Sequence, residues 1–340
     1  MKQSTHTRFS RRSLMRWAAT ATAGALIAPA AMAQNDKAAA EAASFPSKVV
    51  RLVMPFPAGG AGDVLARIIA DGLSKEWSQQ VIVENKAGAS GIIGNQHVAR
   101  SSPDGYTLLM TITYLVQAPS LGVKVPYDVL KDFTPLARVA DAPSLLGTTD
   151  PELTSVQRYV ELALNNPGKY AYGTYGAGTT SHLWAESFNR SQGIKGVHVP
   201  YKGAAPLMQD MLGRQLGLSF IDLATSLPFI KAGNVKAHAV TGTQRSPLLP
   251  DVPTFKELGY DGLELIGWYG MLGPAGMSPA LAKKITDSID KVVRQPDIRQ
   301  RILNMGLAPA AGQKEDFQQR ILSDMVNWRR VIQQAGVVLE

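Results

Sequence analysis

The chain has 340 residues, of which 35 are basic and 27 acidic, and its formal net charge is +8. It contains no cysteine, which excludes disulfides, thiolate catalysis and cysteine-bound metal. Five basic residues fall within the first 16 positions, so the rest of the chain carries only about +3. That remainder shows no basic run of the kind that binds nucleic acid, and we expect no nucleic-acid partner.

Residues 1–33 have the pattern of an export signal. Ser10–Arg16 holds an arginine pair followed by hydrophobic residues, which is typical of twin-arginine export, and Ala18–Ala31 is a weakly apolar core. Ala31-Met32-Ala33 matches an A-x-A cleavage site, so we expect cleavage after Ala33 and a periplasmic mature protein. An ordinary general-secretory signal is the alternative route. Residues 34–44 are alanine-rich and polar, which predicts a flexible start.

Beyond this start, apolar strands alternate with amphipathic helices, which predicts an α/β fold with enough chain for two lobes. The predicted strands are Val49–Phe56, Val81–Glu84, Thr107–Thr111, Tyr170–Thr174, Gly196–Tyr201, Leu216–Ile221, Lys236–Thr241 and Leu263–Leu272. Apolar residues at helical spacing predict helices that contain Val64–Leu73, Val156–Leu164 and Leu183–Phe188, and then Leu281–Arg294, Ile298–Met305 and Glu315–Ala335.

A strand, a glycine-rich turn and a helix follow one another three times. The first turn is Pro57–Gly62, the second is Gly88–Gly91, and the third unit is Tyr170–His182. Each turn leaves backbone N–H groups free at a helix N-terminus, where they attract carboxylates. Such turns also occur in ordinary connections, but three of them together predict a carboxylate pocket between two lobes.

Several single residues have two possible roles. Asp63 begins a helix, and we favour a capping role over ligand contact. Lys202 is either a carboxylate partner or a solvated turn lysine. Asp222 either caps a helix, which we favour, or receives a ligand ammonium or protonated ring nitrogen. Trp268 and Tyr269 either stack on an aromatic ligand or pack in the core, and we favour packing.

The sequence shows no pattern of a catalytic or metal centre. There is no G-x-S-x-G, and the dinucleotide fingerprint would need glycine at Leu65. His97, His182, His198 and His238 are scattered without an HExxH motif. We therefore expect no enzyme activity, no metal and no cofactor. His182 follows the third glycine turn, where we expect packing to satisfy it.

An ordered series of motifs extends along residues 45–340. The motifs are Arg51–Gly60 with Asp63, Val83–Ala89 with Gly94, Ser102–Leu109, Pro126–Asp128, Lys131–Pro135, Gly178–Leu183, His198–Gly203, Pro250–Thr254 and Gly273–Gly276. Each is weak alone, but the ordered set strongly resembles the solute-binding proteins of tripartite tricarboxylate transporters, also called the Bug family.

The resemblance implies a fold and a division into lobes. The fold is the two-lobed type II periplasmic-binding-protein (Venus-flytrap) fold, with a mixed β-sheet flanked by helices in each lobe. Residues 45–140 plus 264–340 would form lobe 1, and residues 141–263 would form lobe 2. The chain would cross between lobes near Arg138–Ala142 and Gly262–Tyr269.

The resemblance also implies a function without catalysis. The protein would be a monomer that captures a di- or tricarboxylate, an acidic amino acid or an aromatic carboxylate between its lobes. It would deliver this ligand to a membrane permease of one large and one small subunit, driven by an ion gradient. A periplasmic carboxylate sensor that docks on a signalling partner is the alternative, and an exported hydrolase is a more remote one.

The family's ligand-binding positions can be carried over residue by residue. They are Phe56, Ala58, Gly60, Ala61 and Gly62 in the first loop, Ala89 and Ser90 in the second, Gly178, Thr179, Thr180 and Ser181 in the third, and Tyr201, Lys202 and Asp222 at strand ends. Many relatives have a Ser-Thr pair where this chain has Ala61-Gly62. The first loop must therefore bind through backbone N–H groups or water, and it leaves room for a bulkier ligand.

Overall fold

The computed structural model describes residue 40 and residues 42–337. Residues 1–45 and 46–340 are two separate units of the chain, and every element below belongs to the second. The predicted signal peptide of residues 1–33 lies outside the described residues, as does most of the predicted flexible start. No helix within the described part of the chain has the length and apolar character needed to cross a membrane.

The first sheet has six strands in the order β11-β4-β10-β3-β1-β2. Strand β1 is parallel to both β2 and β3, whereas β10 is antiparallel to both β3 and β4. The parallel strands of this mixed sheet end at one edge, where their connecting loops gather. The strands are β1 (Val50–Met54), β2 (Val81–Asn85), β3 (Thr107–Ile112), β4 (Phe133–Ala142), β10 (Gly267–Pro274) and β11 (Ala308–Pro309).

The second sheet has five strands in the order β7-β6-β8-β5-β9. It too is mixed, because β6 is parallel to β7 and β8 while β5 is antiparallel to β8 and β9. The strands are β5 (Ser144–Thr148), β6 (Ala171–Thr174), β7 (Val197–Pro200), β8 (Leu218–Asp222) and β9 (Lys236–Val240).

Helices flank both sheets. The predicted tail helices agree with the structure within two residues, because their apolar period is strong. The α-helices are α1 (Ala61–Trp77), α2 (Ile92–Ala99), α3 (Tyr114–Gln117), α4 (Val156–Asn165), α5 (Thr180–Ser191), α6 (Ala204–Leu212), α7 (Leu223–Lys231), α8 (Pro279–Arg294), α9 (Pro296–Asn304) and α10 (Lys314–Ala335), with 3-10 turns at Ala89–Gly91 and Ala118–Leu121.

The chain passes between the two sheets at a single proline. Strand β4 ends at Ala142 in the first sheet, and β5 begins at Ser144 in the second. Pro143 has no N–H to donate to a ladder, so it ends one strand and begins the other. The chain returns between β9 and β10. Both sheet changes lie close to the predicted crossings, while the full lobe boundaries remain a prediction.

Helix α10 packs on both halves of the molecule. It contacts β4 of the first sheet and α5 beside the second. Trp328 of α10 meets Trp184 of α5 with ring centroids 4.9 Å apart, and both indoles are fully buried. One apolar cluster therefore continues from Leu109 of the first sheet to Phe220 of the second.

Candidate ligand-binding site

A cleft of about 600 Å³ lies between the two sheets, at the carboxyl ends of their parallel strands. Its wall combines loops from both halves with the two segments that cross between them. The lining residues are Phe56, Ala61, Ser90, Ile112, Thr113, Tyr114, Gln117, Ala142, Ser144, Tyr175, Ala177, Thr179, Thr180, Ser181, Lys202, Gly203, Ala204, Asp222, Thr225, Gly267, Trp268 and Tyr269.

Helix N-termini converge on this cleft. The first residues of α1, α5 and α6 lie in its wall, as does Asp222, the N-cap residue of α7. Gly60 and Gly203 are the N-cap residues of α1 and α6, and neither supplies a side-chain oxygen to the free N–H groups of the first turn. These N–H groups, together with the helix dipoles, give the cleft a positive character that suits an anion.

The first loop is tied by Asp63, which is only 4% exposed. Its carboxylate accepts hydrogen bonds from the Gly59 N–H, from Arg67 Nε and Nη2, and from Asn85 Nδ2, each at 3.0 Å. Burial alone would raise the pKa of Asp63, but hydrogen bonds from Arg67, Gly59 and Asn85 together lower it. Asp63 therefore fixes the loop as an ionised structural group. The N-cap of α1 is Gly60, so Asp63 lies in the first helical turn rather than at the predicted capping position.

The second loop holds a strained backbone at the cleft wall. Ala89 and Ser90 have φ angles of 46° and 53°, a left-handed conformation that is costly for residues other than glycine. The next residue, Gly91, has φ of 95°, and a Cβ there would lie 3.1 Å from the Phe56 ring. The tight approach places Ser90 and Phe56 side by side in the wall.

The third loop uses its hydroxyls for its own structure. Thr179 is the N-cap of α5, where its Oγ1 accepts from the His182 N–H and donates to the Gly176 carbonyl. Ser181 Oγ donates to the Phe220 carbonyl. The backbone N–H groups of the first α5 turn, rather than these hydroxyls, remain for a ligand.

A hydrogen bond joins the two sides of the cleft. The fully buried Gln117 follows β3 of the first sheet, and Thr180 begins α5 beside the second. Gln117 Nε2 lies 3.2 Å from Thr180 Oγ1, and Gln117 Oε1 lies 3.3 Å from the same hydroxyl. This pair connects the third loop directly to the opposite lobe.

His182 holds the third loop through its ring. The Gly178 N–H donates to His182 Nδ1 at 3.0 Å, and the ring stacks on His198 with centroids 4.0 Å apart. Burial, followed by the nearby charge of His198, lowers the pKa of His182 to about 4. His182 is therefore neutral at pH 7 and able to accept this bond, which is a more specific role than the packing predicted from sequence.

Asp222 is the N-cap of α7, as favoured from the sequence, and it also lines the cleft. Its carboxylate accepts from the Thr225 N–H at 2.7 Å, from Thr225 Oγ1 at 2.9 Å and from the Tyr175 hydroxyl at 2.5 Å. Burial and the Asp222 charge raise the pKa of Tyr175 well above its usual value, so Tyr175 stays a protonated donor.

Lys202 and Trp268 both face the cleft in different ways. Lys202 is exposed at its edge, and no acidic partner for it occurs among the described residues. Trp268 is 1% exposed, donates from Nε1 to Asp324 Oδ2 at 2.8 Å and packs edge-on against Phe317. Trp268 is thus a core residue that shows one side to the cleft, while Lys202 supplies the cleft with a free positive charge.

The structure brings eight of the fourteen predicted binding residues into the cleft wall. These are Phe56, Ala61, Ser90, Thr179, Thr180, Ser181, Lys202 and Asp222. Outside the wall are Ala58, Gly60, Gly62, Ala89, Gly178 and Tyr201. Ligand contact remains a prediction for the whole set.

Packing explains some of the residues outside the wall. The Tyr201 hydroxyl turns to Asp210 Oδ2 at 2.7 Å, and burial with this carboxylate raises the pKa of Tyr201 to about 12. Gly62 lies against the Met54 side chain and the Tyr269 ring, where a Cβ would be 3.2 Å from Tyr269 Cε1. Position 62 is therefore a glycine because Met54 and Tyr269 leave no space for a side chain there.

Several cleft residues were not predicted from the sequence: the segment after β3 supplies Thr113, Tyr114 and Gln117, and the start of β5 supplies Ser144. Tyr269 of β10, which was named with Trp268 as a possible ligand contact, also lines the cleft. The rule that ligands gather at parallel strand ends points to β3, because β3 lies beside β1 in the sheet. In the part of the chain that the structure describes, no group of His, Asp or Glu is arranged to hold a metal ion.

Known proteins share both the sequence pattern and this architecture. The family model for the tripartite tricarboxylate transporter family receptor matches residues 65–337. The periplasmic binding protein BugD is 33% identical, with a TM-score of 0.76 over 87% of this chain and 100% of its own.

Two similar structures hold ligands. The R. palustris protein Rpa4515, solved with adipate, is 31% identical, with a TM-score of 0.79 over 87% of this chain and 99% of its own. MatC from Rhodopseudomonas palustris, solved with malate, is 27% identical, with a TM-score of 0.75 over 85% and 100%. The chain therefore has the two-lobed fold of periplasmic binding proteins and belongs to the tripartite tricarboxylate transporter receptor family.

Proposed function

We propose that this protein is a periplasmic receptor that captures a small carboxylate between its lobes and delivers it to a tripartite tricarboxylate-type permease. The observation that carries the proposal is the convergence of four helix N-termini and the free Lys202 on one cleft. Adipate and malate in the similar structures are both carboxylates, which supports the same ligand class here.

The proposed cycle is a population shift and involves no chemical reaction. A carboxylate that touches both halves of the cleft stabilises the closed form over the open one. Ala61 begins the helix that follows β1 of the first sheet, whereas Thr179 and Lys202 follow β6 and β7 of the second. A ligand that lies between these residues therefore touches both halves. The receptor acts as an exported monomer whose closed form is recognised by the large and small permease subunits.

Binding is tested by thermal shift and calorimetry on the purified protein. The panel includes adipate, malate, citrate and benzoate, with adipamide as an uncharged control. A ligand at about a hundred times its dissociation constant stabilises the folded state by about 2.7 kcal/mol. We expect stabilisation by at least one carboxylate and none by adipamide. Flat curves for every carboxylate would contradict the proposal.

Two alanine-to-leucine substitutions test where the ligand binds. Ala61→Leu places a larger side chain in the cleft wall, and we expect it to weaken binding at least about tenfold, or 1.4 kcal/mol. Ala232→Leu adds the same volume at an exposed position outside the wall and should leave affinity unchanged. Equal affinity in both variants would place the ligand elsewhere. Uptake of the bound carboxylate by cells with and without the protein separates transport from sensing.

A further inference from the structure

A serine hydroxyl in the cleft wall has no protein partner at the point where the chain crosses between the lobes. Ser144, the first residue of β5, is 6% exposed and lines the cleft. Its backbone is fully engaged, because its N–H donates to Thr241 Oγ1 and its carbonyl accepts from the Thr241 N–H. Its hydroxyl has no hydrogen-bond partner among the described residues. Since Ser144 lines the cleft and no described group binds this hydroxyl, the hydroxyl is available to a ligand.

A second hydroxyl lies on the other crossing segment. Tyr269 of β10 lines the same cleft, and no described residue pairs with its hydroxyl. Gly62 leaves the space that the ring occupies. Burial, reinforced by the charge of Asp222, raises the pKa of Tyr269 well above its ordinary value. The hydroxyl therefore remains protonated and can both donate and accept.

Asp222 is next to this pair of hydroxyls. In the antiparallel register of β5 and β8, Ser144 is directly opposite Asp222, so their side chains share one face of the sheet. An ionised carboxylate offers about four acceptor positions, and Asp222 uses three of them for Thr225 and Tyr175. Among the described residues of the cleft wall it is the one acidic side chain, and the one basic side chain is Lys202.

We propose that Ser144, Tyr269 and Asp222 form a subsite at the lobe junction that binds a hydrogen-bond donor on the ligand. This inference rests on the proposed function and narrows its ligand to a carboxylate that carries a hydroxyl or ammonium group at its other end. Such a group donates to Asp222 or Ser144, and a hydroxyl also accepts from Tyr269. A second carboxylate is disfavoured, because it would meet the Asp222 charge in a partly buried cleft.

Matched ligands test this selectivity by calorimetry on the purified protein. The six-carbon series is hexanoate, 6-hydroxyhexanoate, 6-aminohexanoate and adipate, and the rigid series is benzoate with the same end groups in the para position. We expect a hydroxyl or ammonium end to improve affinity over the carboxylate end by about tenfold or more. Comparison of 6-hydroxyhexanoate with 6-aminohexanoate shows whether the subsite prefers a hydroxyl or an ammonium group. A dicarboxylate that binds as well as the donor-ended ligands overturns the subsite.

A charge-neutral variant gives a crossover test. Asp222→Asn keeps a good N-cap for α7 while it removes the negative charge. We expect it to strengthen adipate binding and to weaken 6-aminohexanoate binding, so that the preference reverses. A loss of fold alone would lower both affinities together. Unchanged relative affinities overturn the role of Asp222.

Hydroxyl deletions complete the test. Ser144→Ala and Tyr269→Phe should each reduce the affinity for 6-hydroxyhexanoate by about three- to tenfold while hexanoate binding is unchanged. Ser191→Ala is the control, because that hydroxyl donates to the Phe188 carbonyl outside the cleft wall. Equal effects on both ligands overturn the subsite but leave the proposed function standing. Failure of every carboxylate to bind contradicts the proposed function itself.

Discussion

Asp63 shows how one buried carboxylate shapes a binding loop. A glycine-rich turn is conformationally free, yet this one must present its N–H groups in a fixed direction. The hydrogen bond from the Gly59 N–H to Asp63 closes the turn, and Arg67 and Asn85 hold the carboxylate. Ligand affinity at the first loop therefore depends on a residue that is itself outside the cleft wall.

Replacement of Asp63 by asparagine tests this dependence. Asp63→Asn removes the charge that Arg67 binds, and we expect a loss of about 1–3 kcal/mol in the free energy of unfolding together with weaker ligand binding. Asp71→Asn on the same helix is the matched control, because its exposed pairs with Lys75 and Arg301 should contribute little. Chemical denaturation and calorimetry measure both effects. Equal results for the two variants would contradict the role of Asp63.

His182 predicts a pH dependence with a definite sign. Its pKa falls from 6.5 in the unfolded chain to about 4 in the folded protein, so the unfolded state binds the extra proton first. The stabilisation that neutral His182 contributes is fully present above pH 6.5. It is lost as the pH drops towards 4, which lowers the free energy of unfolding by up to about 3 kcal/mol. Ligand affinity should fall only as the pH approaches 4, because His182 of the folded protein is protonated there and a protonated Nδ1 releases the Gly178 N–H.

A difference measurement isolates this histidine. Burial also lowers the pKa of His198 and His238, so those two residues add to the slope in the same direction. His182→Gln should flatten the dependence of unfolding free energy on pH relative to the parent protein. The charged neighbours Glu186 and Arg190 are present in both proteins. Parallel curves for the parent protein and His182→Gln would contradict the assignment.

Helix α10 contributes two tryptophan contacts that differ in their chemistry. Trp268 of β10 donates to Asp324 of α10, and Arg320 also binds that carboxylate. Burial raises the pKa of Asp324, although Arg320 and Trp268 act against it. Trp328, by contrast, has a buried Nε1 with no partner among the described residues. The helix is thus anchored to the first sheet by a charged hydrogen bond and to α5 by apolar contact.

Two identical substitutions separate these contributions. Trp268→Phe and Trp328→Phe remove the same volume, so their cavity costs should be similar. Only Trp268→Phe deprives the buried Asp324 of a donor, and we expect it to cost about 1–2 kcal/mol more in unfolding free energy. Urea denaturation of the unliganded proteins measures the difference. A larger loss in Trp328→Phe would show that the apolar joint outweighs the hydrogen bond.

At the scale of the whole molecule, the two sheets are joined on one side and separated on the other. The joined side is the continuous apolar cluster through α5 and α10. The separated side is the cleft, where Gln117 and Thr180 already make a polar contact between the halves. Closure on a ligand therefore requires movement about a packed joint, and a bridging carboxylate supplies the differential binding that drives it.

The fold was predictable where the pattern is local. Helices α8, α9 and α10 repeat apolar residues at helical spacing, and their predicted bounds lie within two residues of the structure. Strands β4 and β5 were absent from the predicted strands, because Pro135, Arg138 and Asp141 interrupt the apolar pattern of β4. They form through pairing with β10 and β8, which lie far away in the sequence. The periodicity of a short segment does not show which distant strand will pair with it.

The sequence by itself determined the absence of cysteine chemistry, the α/β alternation, the three glycine-rich turns and, through its ordered motifs, the family. These features are local or read directly from composition. Only the tertiary structure decided which side chains share the cleft: Gln117 meets Thr180 across 63 positions, and Ser144 is opposite Asp222 on a neighbouring strand. The physical reason is that a hydrogen bond or a charge acts over a few ångströms in space. The packing of the two halves brings Gln117 to Thr180, and the register of β5 and β8 brings Ser144 to Asp222.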